Sequence, residues 1–215
     1  DRPDFLIFGD KNFGTNNLNY DRSKVPKIFY TGENQRAEDY DCDYAITFDH
    51  NYRPWHYRLP LFIIYLWALR HVHKTKYDKN YILNPDVEKK YDFCSFVVKN
   101  GVPKERKEFF EKLSKYKSID SGGPTEKILH AFLAGTVPIY WGSETIESDF
   151  NPRAMINVHN FRDFDKAIDY IKMIDEDDDR YNYMVNQPKF TSGVIPPYML
   201  NNNFLNWFDG IVYNQ

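Results

Sequence analysis

The sequence predicts an α/β fold, and three observations carry that expectation. Short apolar runs near the N-terminus each end at glycine or polar punctuation. From residue 93 onward, strand-like and helix-like stretches alternate. The 215 residues are 42% hydrophobic and 27% charged, which supports a packed core. The strand-like runs are continuously apolar, the pattern of a parallel sheet covered on both faces.

In chain order, "FLIFG" (5–9), "KIFYTG" (27–32) and "DYAITFD" (43–49) read as strands, separated by turn-rich segments. Residues 58–69 are long enough for a helix, with Pro60 in its first turn, where a missing N–H is harmless. Residues 76–92, polar and mixed, read as a linker. "FCSFVVKN" (93–100) is a strand and residues 103–116 an amphipathic helix, with Phe109, Phe110 and Leu113 on one side. "KSIDSGG" is a short strand and turn. Residues 125–134 form a helix that Gly135 ends. "VPIYWG" is a strand in which Pro138 argues against a full ladder on both sides. "MINVHNF" (155–161) is a strand, and "DFDKAIDYIKMI" places Phe164, Ala167, Ile168, Ile171 and Ile174 at helical spacing. "DEDDD" (175–179) reads as a solvated acidic helix end, and "NNNFLNWFDGIV" in the tail as a docking helix.

A net charge of −3 and a pI near 6.1 leave no broad basic field and exclude bulk nucleic-acid binding. Aromatics reach 18%, enough to line a cleft that stacks on a planar or sugar ligand as well as a core. Cys42 and Cys94 lie in apolar stretches and are expected as free thiols, and neither has a neighbour at metal-ligand spacing. The His71–His73 pair lacks a third ligand in sequence, so no metal site is expected. The longest apolar run, 59–69, falls short of the roughly 20 residues a spanning helix needs. The chain opens at Asp1 rather than Met, so the protein's own start is expected upstream.

Candidate chemistry gathers at element ends. Thr125 is placed to N-cap its helix, which puts Lys127 in a first turn where the helix dipole opposes a cation. Either an anion also occupies that end, or Glu126 and Lys127 are a solvated surface pair. Arg106 opens the helix after the strand at 93–100, a ligand address in open α/β sheets or a surface arginine. Glu33 and Asn34 follow one strand, Asp49 and His50 another; each pair is a binding group or a turn. Asp49 and His50 are candidate general bases, with His50 nearer the useful range.

Together and in order, "KIFYTGEN", "CDYAITFD", "HYRLPL", "FCSFVVKNG" with "RKEFFEKLSKY", "DSGG", "TEKILHAFLAGTVPIYWGS", "DFNPRAMINVHNF" and "FDKAIDYI" resemble the α-1,3-fucosyltransferases of glycosyltransferase family 10. The resemblance spans most of residues 3–175, and the "TEKI…AGTVPIYWG" block is its most specific part. It implies a GT-B fold of two Rossmann-like lobes facing across a cleft. The expected layout is an acceptor-binding lobe at 1–75, the linker at 76–92, a GDP-fucose-binding lobe at 93–185 and a tail at 186–215. The implied reaction transfers L-fucose with inversion to a hydroxyl, expected to be O3, of N-acetylglucosamine or glucose in a lactose- or N-acetyllactosamine-type glycan. No cofactor or metal is implied.

Donor contacts implied by the family are Arg106 and Lys127 at the phosphates and Glu126 at a ribose hydroxyl, with Thr125 and Tyr140 beside them. Acceptor contacts are expected from Asn34, Tyr52 and Trp55, and the base from His50, Asp49 or Glu33. Well-studied bacterial members have a glutamate where His50 stands. Members also carry an N-terminal strand region before "PDFLIFG" and a central strand between "DSGG" and "TEKI". Here Gly123 runs straight into Pro124, so both lobes are expected to be incomplete, with a chain break at that junction if a loop has been omitted. Two other functions stay open: a catalytically impaired nucleotide-sugar or glycan binder, and a transferase using another sugar nucleotide. The expected location is the cytoplasm, with peripheral membrane association, for a bacterial or viral protein, and the Golgi membrane for an animal one.

Overall fold

The computed structural model describes residues 3–11, 14–21, 24–33, 35–50, 53–72, 93–97, 103–122 and 127–213. The chain forms two compact units, Asp1–Val72 with Pro197–Gln215, and His73–Pro196. The stretch 186–215 is therefore divided between them. The linker region 76–92 and the Gly123–Pro124 junction lie outside the described residues. Among the described residues no helix is long and apolar enough to cross a membrane.

The first unit is a four-stranded parallel sheet in sequential order: β1 (Leu6–Phe8), β2 (Lys27–Tyr30), β3 (Tyr44–Thr47) and β4 (His56–Arg58). Register places Phe8, Phe29, Ala45 and His56 in one row, hence on one face. On that face Phe29 and Ala45 pack with Ala37, Tyr40, Cys42 and Trp55. Tyr40 stacks on Phe29 at 4.0 Å. Tyr44 and Tyr57 point to the other face, where helix α6 (Asn201–Tyr213) returns. There Trp207 meets both rings, at 6.4 and 5.4 Å, and its indole N–H donates to the Pro54 carbonyl at 2.9 Å.

Strand β4 corrects the expected helix at 58–69. Helix α1 runs Leu61–Val72 and Pro60 precedes it. Proline biases the residue before it toward extended backbone, and Leu59 N–H donates to the Thr47 carbonyl, drawing residues 56–59 into the sheet. Gly32 at the β2 exit admits the α1 start: a Cβ there would sit 3.0 Å from Leu61 Cδ1.

In the second unit, β5 (Cys94–Val97) pairs in parallel with β6 (Ile119–Gly122), and β7 (Ile139–Tyr140) with β8 (Ile156–Asn157). No strand among the described residues joins the two pairs into one sheet. They share a core with α2 (Lys104–Leu113) and α4 (Phe164–Asp175), built on Phe109, Leu113, Ile156, Ala167, Ile168 and Ile171. Asp163 caps α4 through the Lys166 N–H at 2.9 Å. The predicted β7 is only two residues long. Pro138 has no N–H to give, yet its carbonyl accepts from Ile156 N–H at 2.8 Å. Helix α3 (Lys127–Leu133) ends at Gly135, whose φ of 65° is the left-handed cap expected there.

The acidic run hides a helix. Asp175 ends α4, and Asp177 caps α5 (Asp178–Val185) by accepting the N–H groups of Asp179 and Arg180, both at 3.1 Å. The backbone hydrogen bond from Arg180 is the main cause of the lowered Asp177 pKa.

Lys189 is 2% exposed. Its ammonium donates to the Val185 carbonyl and lies 5.8 Å from the Phe132 ring centre. No carboxylate pairs with it among the described residues. Burial lowers its pKa from 10.5 to about 8. The unfolded chain therefore takes up the proton first as pH falls from 10.5, and stability drops until about pH 8. Lys189→Met is expected to stabilise the protein by on the order of 1–3 kcal/mol at pH 7. The gain should shrink as pH rises toward 10.5, measured by urea unfolding at both ends of that window.

Candidate functional site

In the first unit, chemistry collects at the carboxyl edge of the parallel strands, where side chains leave the ladder and turn outward. Two strand exits share one device. Thr31 follows β2, and its hydroxyl oxygen accepts the Glu33 N–H at 3.0 Å. Thr47 ends β3, and its hydroxyl oxygen accepts the Asp49 N–H at 3.1 Å. Each threonine closes a tight turn and presents a carboxylate two residues on. Thr31 also donates to buried Asp10, after β1, at 3.4 Å. Thr47 meets His56 Nε2 at 2.8 Å.

The carboxylates are then treated differently. Asp49 is half-buried and ion-paired with Arg36 at 2.8 Å, whose guanidinium lies 4.9 Å from the Phe48 ring centre. Glu33 is exposed. His50 is half-buried, with Nε2 3.2 Å from Arg58 Nη2. Arg58 ends β4, is 9% exposed, and lays its guanidinium over the Tyr198 ring at 4.5 Å. The fold thus brings Glu33, Asp49 and His50 to one edge. Trp55 sits at the other edge, before β4, where its carbonyl accepts from Ala45 N–H and its ring packs with Phe29 and Ala45. Asn34 and Tyr52 lie outside the described residues.

In the second unit the corresponding edge follows β7. The Tyr140 ring folds back so that its hydroxyl oxygen accepts the Ser143 N–H at 2.9 Å. A Cβ at Gly142 would collide with that hydroxyl, so a larger residue there would have to displace the Tyr140 ring. Arg106, in the first turn of α2, donates through Nη2 to the Trp141 carbonyl at 3.4 Å. His159 donates through Nε2 to the Gly142 carbonyl at 2.9 Å. The Glu147 carboxylate behind the turn accepts from Asn157 at 2.8 Å and Asn160 at 2.6 Å. Burial raises the Tyr140 pKa, and the Arg106 charge works against that rise. Arg106 and Tyr140 thus both hold the turn at residues 140–143. Thr125, Glu126 and the Lys127 side chain lie outside the described residues.

Sequence reasoning passed over Thr31, Thr47, Arg36, Arg58, Asp10 and His159. The two threonines left a readable signal: "TGE" and "TFD" repeat the same Thr-x-acid pattern at two strand exits. Among the described residues no group of three or more His, Cys, Asp or Glu could hold a metal ion.

Two units built on parallel strands, with polar groups at the strands' carboxyl ends, define an α/β chain of GT-B type. Residues 1–65 match the family model described as the alpha-(1,3)-fucosyltransferase FucT N-terminal domain. Residues 124–189 match the model for the C-terminal part of glycosyltransferase family 10 (fucosyltransferase). The chain belongs to this fucosyltransferase family, glycosyltransferase family 10. It is 29% identical over 218 aligned residues to the alpha-(1,3)-fucosyltransferase FucT of Helicobacter pylori, an alignment covering 73% of this chain and 45% of the relative. The chain thus spans less than half the length of that curated relative.

A crystal structure of an α1,3-fucosyltransferase with GDP-fucose matches with a TM-score of 0.69 at 25% identity, over 89% of this chain and 76% of the other. A second α1,3-fucosyltransferase structure matches with a TM-score of 0.70 at 24% identity, over 97% and 77%.

Thr47 serves the Asp49 N–H and His56 together. Thr47→Val keeps the shape and removes both partners, so it is expected to cost about 1–3 kcal/mol in urea unfolding. An unchanged midpoint would show that the threonine turn does not hold this edge.

Proposed function

We propose that this protein transfers L-fucose from GDP-fucose, with inversion at the anomeric carbon, to a hydroxyl of an N-acetylglucosamine or glucose unit in a glycan. The acceptor oxygen bonds to the fucose anomeric carbon as the bond to the β-phosphate oxygen breaks. The acceptor's proton passes to a base, and GDP departs. Positive charge grows on the sugar and negative charge on the leaving diphosphate, so donors fixed at the phosphate lower the barrier. In this reading Arg106 and Lys127 steady the phosphates and Glu126 holds a ribose hydroxyl, with Thr125 and Tyr140 beside them. Glu33, Asp49 and His50 form the acceptor-side set, completed by Asn34 and Tyr52; Trp55, at the opposite edge of the sheet, is not part of it. The two cations carry the charge that the departing diphosphate requires, so the reading calls for no resident cofactor.

One observation carries the reading. Arg106 is tethered by a single N–H to the turn after β7, and its other N–H groups meet no acceptor among the described residues. A guanidinium has five donors in a rigid fork, suited to bidentate contact with a phosphate. The turn lies in the stretch that matches the family's C-terminal model, and a related solved structure holds GDP-fucose.

A second reading is a relative that binds a nucleotide sugar or glycan without turnover. Among the described residues the second unit's strands form two separate pairs, which favours it.

The deciding experiment is a transfer assay with GDP-fucose on lactose and N-acetyllactosamine, with GDP release as readout and other GDP- and UDP-sugars as competitors. Transfer specific to GDP-fucose is expected, and Arg106→Ala should lower it about 10²–10³-fold. Nucleotide binding without GDP release would favour the second reading.

A further inference from the structure

The contact between Arg58 and His50 settles a question that the residue types leave open. Arginine has N–H donors and no acceptor, and it stays protonated in proteins. A hydrogen bond from Arg58 Nη2 to His50 Nε2, at 3.2 Å, therefore requires a lone pair on Nε2. The imidazole is then neutral, with its proton on Nδ1. A proton on Nε2 would set two donors face to face.

Arg58 is well held for this task. It closes β4, where Thr47 and Arg58 are register partners, so its backbone is fixed beside the β3 exit that carries His50. It is 9% exposed, and its guanidinium lies 4.5 Å from the Tyr198 ring centre. Stacking on that ring orients the planar group as well as attracting it.

We propose that Arg58 is a positioning residue that locks His50 in the Nδ1–H tautomer and so removes its basic lone pair from proton transfer. The base at this edge is then a carboxylate. Asp49, beside His50, is engaged by Arg36 at 2.8 Å. Glu33 stands at the neighbouring strand exit, presented by the matching threonine turn and exposed to solvent. This catalytic consequence rests on the transfer reading above, whereas the tautomer does not.

The test reads the tautomer directly, by imidazole ¹⁵N chemical shifts in the whole protein, with His50→Gln used to assign the signal among six histidines. The Nδ1–H form is expected at His50 in the wild type. Arg58→Met should move it toward the Nε2–H form that a free imidazole favours, and Arg58→Lys, still a donor, should retain it. An Nε2–H signal in the wild type, or no change in Arg58→Met, overturns the proposal. If Arg58→Met does not fold, the wild type and Arg58→Lys still decide.

In the transfer assay, His50→Gln should lower kcat by less than about tenfold; a fall of about 10²–10⁴-fold would restore a histidine base and overturn the proposal. A chain that shows the tautomer but no transfer removes the transfer reading and leaves the Arg58 lock standing.

Discussion

The return of the C-terminal segment onto the first sheet is the constraint on which that unit depends. A parallel sheet needs cover on both faces. The turn around residues 37–40 packs one face, over Phe29 and Ala45. The far side is finished by residues 197–213, bound by three donors that each end on a main-chain carbonyl. Trp67 reaches Met199 at 3.0 Å, Tyr57 reaches Tyr198 at 3.1 Å, and Trp207 reaches Pro54 at 2.9 Å. Aromatic rings bury large apolar area while their single polar atom still needs a partner. Directing that atom at backbone carbonyls fixes register as well as affinity. Burial holds the Tyr57 pKa at about 12, so its hydroxyl remains a donor throughout the neutral range.

This clasp reaches the site. The carbonyl of Tyr198 takes the Tyr57 hydroxyl, while its ring supports Arg58. Residues 140 positions later in the chain thus set the plane of a guanidinium beside the β3 exit, by way of two successive residues of β4. Strand β4 is only three residues long, so its alignment comes from what flanks it: Thr47 on one side, the returning aromatics on the other. A loosened tail would disturb Arg58 before it disturbed β1 or β2.

Much of the fold is legible in the sequence because its elements carry their own signals. β2 and β3 are apolar runs with clear stops, and Ala167, Ile168, Ile171 and Ile174 print the buried stripe of α4 without help from the rest of the chain. β4 is illegible because "HYR" has no apolar alternation; the Thr47 carbonyl and the proline after Leu59 make it a strand. Helix α5 escapes notice because its sequence is polar, and it is defined by the Asp177 cap and two buried residues at its end, Met184 and Val185. At the site, residue types foretell that Glu33, Asp49 and His50 stand at strand exits. They are silent on Arg58, because an arginine at the end of a strand acquires meaning only from the ring beneath it and the imidazole beside it.

The two units arrange their polar groups by opposite logic. In the first, small hydroxyls organise the backbone and leave carboxylates at the exits, with arginines choosing among them: Arg36 occupies Asp49, and Arg58 occupies His50. In the second, larger donors brace the turn itself. Arg106 and His159 hold the successive carbonyls of Trp141 and Gly142, and Tyr140 receives the Ser143 N–H between them. Satisfying adjacent carbonyls with separate side chains stiffens a turn that glycine would otherwise leave loose. A guanidinium anchored this way has its orientation fixed before any ligand arrives. The buried lysines show the same distinction. Lys27, 2% exposed, is matched by Asp41 at 3.0 Å, whereas Lys189, equally buried, meets a carbonyl and an aromatic face and no carboxylate among the described residues. The second carries a desolvation penalty that a bound carbonyl only partly offsets.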